Sequence, residues 1–213
     1  MYTVTRALIL IFVIIGVAVP ALADRDMLYV ECRYLVGSEA DTATDVIKIW
    51  RLGPVYLRVE TQPDSESGEQ LVTIVSEKDT WTINTLTNEA THQRDPSNMA
   101  DIRVAVFPQA PEAIRDLQYG SEKQFFDKHN ARVLPDTTLD GTLCEVRRTT
   151  VDGARLTLFT VKDSGVPKQI SLKSGNSVLR VIYDVYRPDM VPNLSLFTLP
   201  DSVKIVEGDS VKP

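Results

Sequence analysis

Histidine and cysteine are scarce in this chain, two of each in 213 residues, and that scarcity removes several kinds of chemistry. His92 and His129 lie far apart, so no His-x-x-x-His or His-Glu-x-x-His spacing for a metal exists, and both are expected at the surface. No Cys-x-x-Cys pair is present to shuttle electrons. There is no Gly-x-Ser-x-Gly elbow and no phosphate-binding glycine loop. Asp140, Asp152 and Asp163 sit in glycine-containing turns, where aspartate is favoured for local backbone bonding. The expectation is a protein that is not an enzyme and holds no cofactor or metal, a triad assembled only in space being the exception that sequence does not reveal. Basic residues are also in deficit: 23 Lys and Arg stand against 29 Asp and Glu, a formal charge of −6. Nucleic acid is therefore not expected as a partner, since neutralising phosphates needs a basic face.

Long apolar runs are missing except at the start. After Arg6 the stretch Ala7 to Val19 is unbroken by charge, and Pro20-Ala21-Leu22-Ala23 supplies the small residues that a signal peptidase reads, with cleavage before Asp24. A retained anchor is the alternative, but the run falls short of the ~20 residues needed to cross a bilayer. No cysteine follows the cleavage point, so the chain itself is not expected to be lipidated. Residues 1–23 are thus expected to be a cleaved signal peptide and 24–213 one exported domain. Removing them takes away one arginine and no acid, so the charge moves from −6 to −7. The remainder is enough for one core. Cys32 and Cys144 would then lie in a compartment where disulfides persist. A Cys32–Cys144 bridge is the expectation, worth ~4–5 kcal/mol in the chain-entropy model; two buried thiols are the alternative.

What is abundant is alternation. Met27 to Val36 places Leu28, Val30, Cys32, Tyr34 and Val36 on one face and Glu31 and Arg33 on the other. Strands follow at 45–51 and 55–60 around a Gly53-Pro54 turn, then at 70–76, 80–86 and 90–94. Residues 102–107 read as an edge strand or a loop against the core. Two short helices are expected near 111–117 and 122–128, the first opened by Pro111 and the second by Ser121. Strands resume at 143–150, 154–161, 168–172 and 178–186, linked by Val151-Asp152-Gly153, Asp163-Ser164-Gly165 and Ser174-Gly175-Asn176. The fold class is therefore mainly β (α+β): a curled antiparallel sheet of about nine to eleven strands, because a twisted sheet that wide seldom stays flat.

A curled sheet has a concave face, and helices that cover it incompletely leave an apolar cavity. A filled sandwich or barrel is the competing outcome. The residues expected to line such a cavity are Ile47, Ile49, Trp50, Leu57, Trp81, Ile83, Leu156 and Leu158. Which alternate set points inward is open, since Ile47 and Ile49 against Trp50 make both faces of that strand apolar.

The stretch IWRLGP at 49–54, followed by Tyr56-Leu57-Arg58-Val59-Glu60 and Thr61-Gln62-Pro63-Asp64, resembles the second and third strands of the LolA/LolB-like lipoprotein carriers. Val75-Ser76-Glu77-Lys78-Asp79-Thr80-Trp81, Asn88-Glu89-Ala90-Thr91 and the run Ser195 to Ile205 are similar to later segments of that superfamily, in the same order and spacing. The resemblance implies an open half-barrel with short helices as a lid, a periplasmic location, and an interior that takes lipid or the acyl chains of a lipidated protein. It also implies a role for Arg51, the nearest match to the family's lid-closing arginine. Two departures stand out: only Asp24-Arg25-Asp26 precede the first strand where the family has a helix, and Glu77-Lys78-Asp79 lacks a glycine. The functional expectation is a non-catalytic periplasmic carrier with transient membrane contact. The alternatives are a sensory or interaction module with a protein partner in the envelope, and a structural domain without ligand.

Overall fold

The computed structural model describes residues 26–37, 46–94, 100, 102–104 and 112–206; the expected signal peptide lies outside them. Its strands are β1 (Met27–Val36), β2 (Ile47–Leu52), β3 (Tyr56–Glu60), β4 (Leu71–Ser76), β5 (Asp79–Asn84), β6 (Glu89–Arg94), β7 (Arg132–Leu139), β8 (Thr142–Val151), β9 (Ala154–Val161), β10 (Pro167–Ser174), β11 (Ser177–Met190) and β12 (Lys204–Val206). One α-helix, α1 (Glu122–Lys128), precedes β7. All twelve strands form a single curled, open sheet in the order β12-β6-β5-β4-β3-β2-β1-β11-β10-β9-β8-β7. Two meanders, β1 to β6 and β7 to β11, are joined by the long antiparallel pairing of β1 with β11. Only β12 runs parallel to its neighbour, β6.

The turns explain why each hairpin keeps its register. Asp140 and Asp152 adopt φ of 49° and 46°, each followed by a glycine that is also at positive φ, the backbone that a two-residue hairpin loop needs to match strand twist. Period-two alternation then splits the sheet into two apolar faces. One packs beneath the described residues between Ala100 and Phe126, with Ile114, Leu117, Tyr119, Phe125 and Phe126 inserted against β1, β2 and β8–β11. We call this the helix face. The other face is covered over β2–β6 by residues 196–203, which bury Phe197 against Ile74, Val72 and Ile83.

Several expectations change. The sheet has twelve strands instead of nine to eleven, because β7 and β12 were not visible in the pattern. Arg132–Leu139 is largely exposed and contains Pro135, which argues against a strand in the sheet interior but is tolerated at an edge, where one side needs no hydrogen bond. Among the described residues the lid contains one α-helix, not two; where the first was expected, Glu112–Ile114 forms a 3₁₀ turn. Of residues 102–107, the described part, Ile102 to Val104, is no strand but makes an isolated bridge from Arg103 to Gln118.

The expected disulfide is also absent, since both cysteines are free and buried. Cys32 pairs with Ile47 and Tyr183 on the helix face. Cys144 pairs with Thr137 and Val161 on the opposite face, and β11, β10 and β9 lie between the two strands. Four strand spacings amount to roughly 19 Å, far beyond the ~7 Å that a bridge can span between Cα atoms.

Candidate functional site

The residues expected to line a cavity divide between the two faces. Ile47, Ile49, Leu57, Leu156 and Leu158 are all buried on the helix face, within one cluster. Trp50, Trp81 and Ile83 belong to the second cluster, under the C-terminal segment. Trp50 packs on Tyr29, and Trp81 stacks on His92, which in turn bonds Asp79 at 2.9 Å. Register explains the split: β2 alternates Ile47 and Ile49 with Lys48 and Trp50, so neighbours in sequence stand on opposite sides.

The helix face is held shut by polar contacts as well as packing. Arg51 donates from Nη1 to the carbonyl of Tyr119 at 3.1 Å and from Nε to the carbonyl of Gly53 at 3.2 Å, tying β2 to the lid backbone. Tyr119 is fully buried and its hydroxyl contacts those of Tyr34 and, through sulfur at 3.3 Å, Cys32. Glu122 is 1% exposed and accepts from Tyr183 at 3.0 Å, Tyr186 at 3.1 Å and the Gly120 amide at 3.0 Å. Burial lifts its carboxyl above the ordinary glutamate range, and those donors oppose the shift. Burial likewise pushes the Cys32 thiol up to about 12, leaving it unreactive. Gly120 sits at φ +88° with its Hα side against Leu28, where a Cβ would approach Leu28 Cδ2 to 2.9 Å. The positive φ favours glycine at this point of contact between the lid and β1, and a larger residue would also displace the Leu28 side chain.

A groove of about 570 Å³ lies on the opposite face, over β8–β11 and β1. Cross-strand register builds it in three rows. Leu35, Arg180, Ser171, Thr157 and Arg148 stand side by side across five strands. Next to them run Val178, Lys173 and Arg155, and on the other side Ile182, Gln169 and Phe159. Leu139 and Asp140, at the β7–β8 turn, complete the lining. The groove carries four cations and one acid in a chain whose formal charge is −6. None of the four cations forms an ion pair among the described residues; Arg148 donates from Nε to Thr157 Oγ1 at 3.2 Å. Arg155 stands directly opposite Lys173, and Arg148 opposite Arg132. Like charges placed so cost about 0.2–1 kcal/mol per pair relative to neutral residues.

Sequence reasoning missed this groove because it followed the apolar alternates, Leu156 and Leu158, and assigned no role to the residues between them. The signal was present in the other parity: Arg148, Arg155, Lys173 and Arg180 fall on one side of four successive strands. Among the described residues no group of three or more His, Cys, Asp or Glu side chains could hold a metal, and no helix is long and apolar enough to cross a membrane.

No family model matches the chain, and no curated protein matches it in sequence. Solved structures do. An uncharacterized conserved protein from Thermus thermophilus aligns over 87% of this chain and 92% of that one, at 12% identity and a TM-score of 0.50. The LolA superfamily protein NE2245 from Nitrosomonas europaea aligns over 83% of this chain and 90% of that one, at 12% identity and a TM-score of 0.32. The MucA/MucB complex structure from Pseudomonas aeruginosa aligns over 85% of this chain and 58% of that one, at 12% identity and a TM-score of 0.42. The chain is similar in fold to the Thermus thermophilus protein. Identity this low speaks to architecture alone.

Proposed function

We propose that this chain is an exported, non-catalytic binding protein that carries a lipid, or the acyl chain of a lipidated protein, in the periplasm. The observation that supports it is the groove on β8–β11. Its volume of about 570 Å³ is in the range of sites that bury a small ligand, and Leu35, Leu139, Phe159, Val178 and Ile182 give it apolar surface. Removing hydrocarbon from water supplies roughly 0.8 kcal/mol per methylene, so the protein needs no chemistry to hold its cargo. Release requires only an acceptor that buries the chain better.

In this reading Ile47, Ile49, Leu57, Leu156 and Leu158 lie on the other side of the sheet from the groove, sealed beneath the lid that Arg51 ties down through its contact to Tyr119. Trp50, Trp81 and Ile83 anchor the C-terminal segment. An interaction module is the second reading, favoured by the same charge in the groove, which an acidic polypeptide would also complement. Native mass spectrometry of protein purified from its own envelope separates the two. Co-purified acyl lipid is expected; protein free of lipid that captures one polypeptide would replace the carrier with the module.

A further inference from the structure

Resting on the carrier reading, we infer that the groove selects an anionic amphiphile: its charged headgroup sits between Arg155, Lys173, Arg180 and Arg148, and its chain lies along Phe159 and Ile182. Three observations lead there. The first is segregation. The cations occupy two adjacent cross-strand rows, and the row beside them contains Ile182, Gln169 and Phe159, so polar and apolar ends of one molecule have separate places within one groove. The second is the absence of counter-charge. Among the described residues no carboxylate ion-pairs with any of the four cations: Asp184 pairs with Arg33 and Asp136 with Lys162, and the groove's one acid, Asp140, lies in the β7–β8 turn. The third is the direct opposition of Arg155 and Lys173, an arrangement that weakens the empty sheet and is relieved by an anion lying between the two.

A bare anion would satisfy the cations and leave the apolar row unused. A neutral amphiphile would fill that row and leave like charges facing each other. Only a molecule with both parts uses the whole surface. The headgroup chemistry is that of a phosphate or carboxylate, which arginine binds through paired N–H donors. The attraction is strongest at low ionic strength, because the cations are largely solvent-facing.

The test measures binding of three probes below their micelle concentrations to the full mature chain: dodecyl phosphate, the neutral dodecyl maltoside, and inorganic phosphate. Dodecyl phosphate is expected to bind at least tenfold more tightly than either of the others. In Arg155→Gln/Lys173→Gln that preference falls to within about twofold, while maltoside binding is unchanged. The melting temperature of the ligand-free double variant is expected to equal or exceed that of the parent, which separates lost recognition from lost folding. Equal affinity for phosphate and maltoside probes in the parent, or an unaltered preference in the double variant, overturns the selectivity and leaves the carrier standing. Failure of both amphiphiles to bind removes the carrier and this inference together. Displacement of dodecyl phosphate by a short polyglutamate peptide at lower concentration reassigns the groove to an acidic polypeptide.

Discussion

One sheet face is finished in two different ways. Over β2–β6 it is sealed by the chain's own C-terminal segment, where Phe197 is fully buried and packs on Tyr56 at a ring separation of 5.6 Å, and Arg58 fastens that segment by donating to the Leu196 carbonyl at 3.1 Å. Over β8–β11 nothing described covers it, and cations take the places that large apolar side chains hold in the other half. The difference teaches where to look for function in a wide sheet: the half that the protein covers is stability, and the half it leaves open, with unpaired charge beside apolar residues, is available to something else.

The sharpest way to break this comparison is to remove the two phenylalanines that typify the halves. Phe197→Ala is expected to destabilise by about 3–5 kcal/mol, as for other fully buried aromatics, measured by urea unfolding, with amphiphile binding retained wherever the chain is folded. Phe159, only half-buried, should cost at most about 1–2 kcal/mol when changed to serine, yet abolish uptake of a fluorescent dodecanoyl probe. A Phe159→Ser chain that binds as the parent does would move the site off this face.

The lid supplies the next contrast, between buried and open charge. Because Glu122 has its carboxyl raised by burial, the native state holds that proton more firmly than the unfolded chain does. Its contribution to stability is then fully present below the ordinary glutamate range and is lost as pH rises through the raised value. Glu122→Gln should flatten that decline in urea titrations followed from pH 4 upward, whereas Arg155→Gln should leave its shape alone. A parent chain whose stability does not fall over that interval would count against a raised Glu122. The smallest effect is expected at the cysteines. Cys32 and Cys144 should resist thiol reagents in the native protein and react once it is unfolded, and the midpoint of unfolding should be the same with and without reductant. A midpoint that drops on reduction would restore the bridge that the present geometry forbids.

Most of the strands were legible because of alternation and turns: β1 carries apolar residues at every second position, β9 and β11 do so over 154–158 and 179–185, and turns such as Val151-Asp152-Gly153 fix where a strand begins. β7 was not, because an edge strand need not alternate or exclude proline. The site was less legible still. Five of the eight residues chosen as cavity lining share one face and three the other, for the sequence shows that a strand has two apolar sides without saying what covers each.

Local chemistry therefore determined ten of the twelve strands, the connections between most of them and the lid's α1 by itself, through side-chain period and turn residues that act within a few positions. Tertiary structure alone decided that Cys32 and Cys144 face away from each other, that Arg51 reaches the backbone of Tyr119, and that Arg148, Arg155, Lys173 and Arg180 converge. Each of those outcomes depends on register between strands distant in sequence, and register is set by the packing of whole faces, a property that no short stretch of the chain contains.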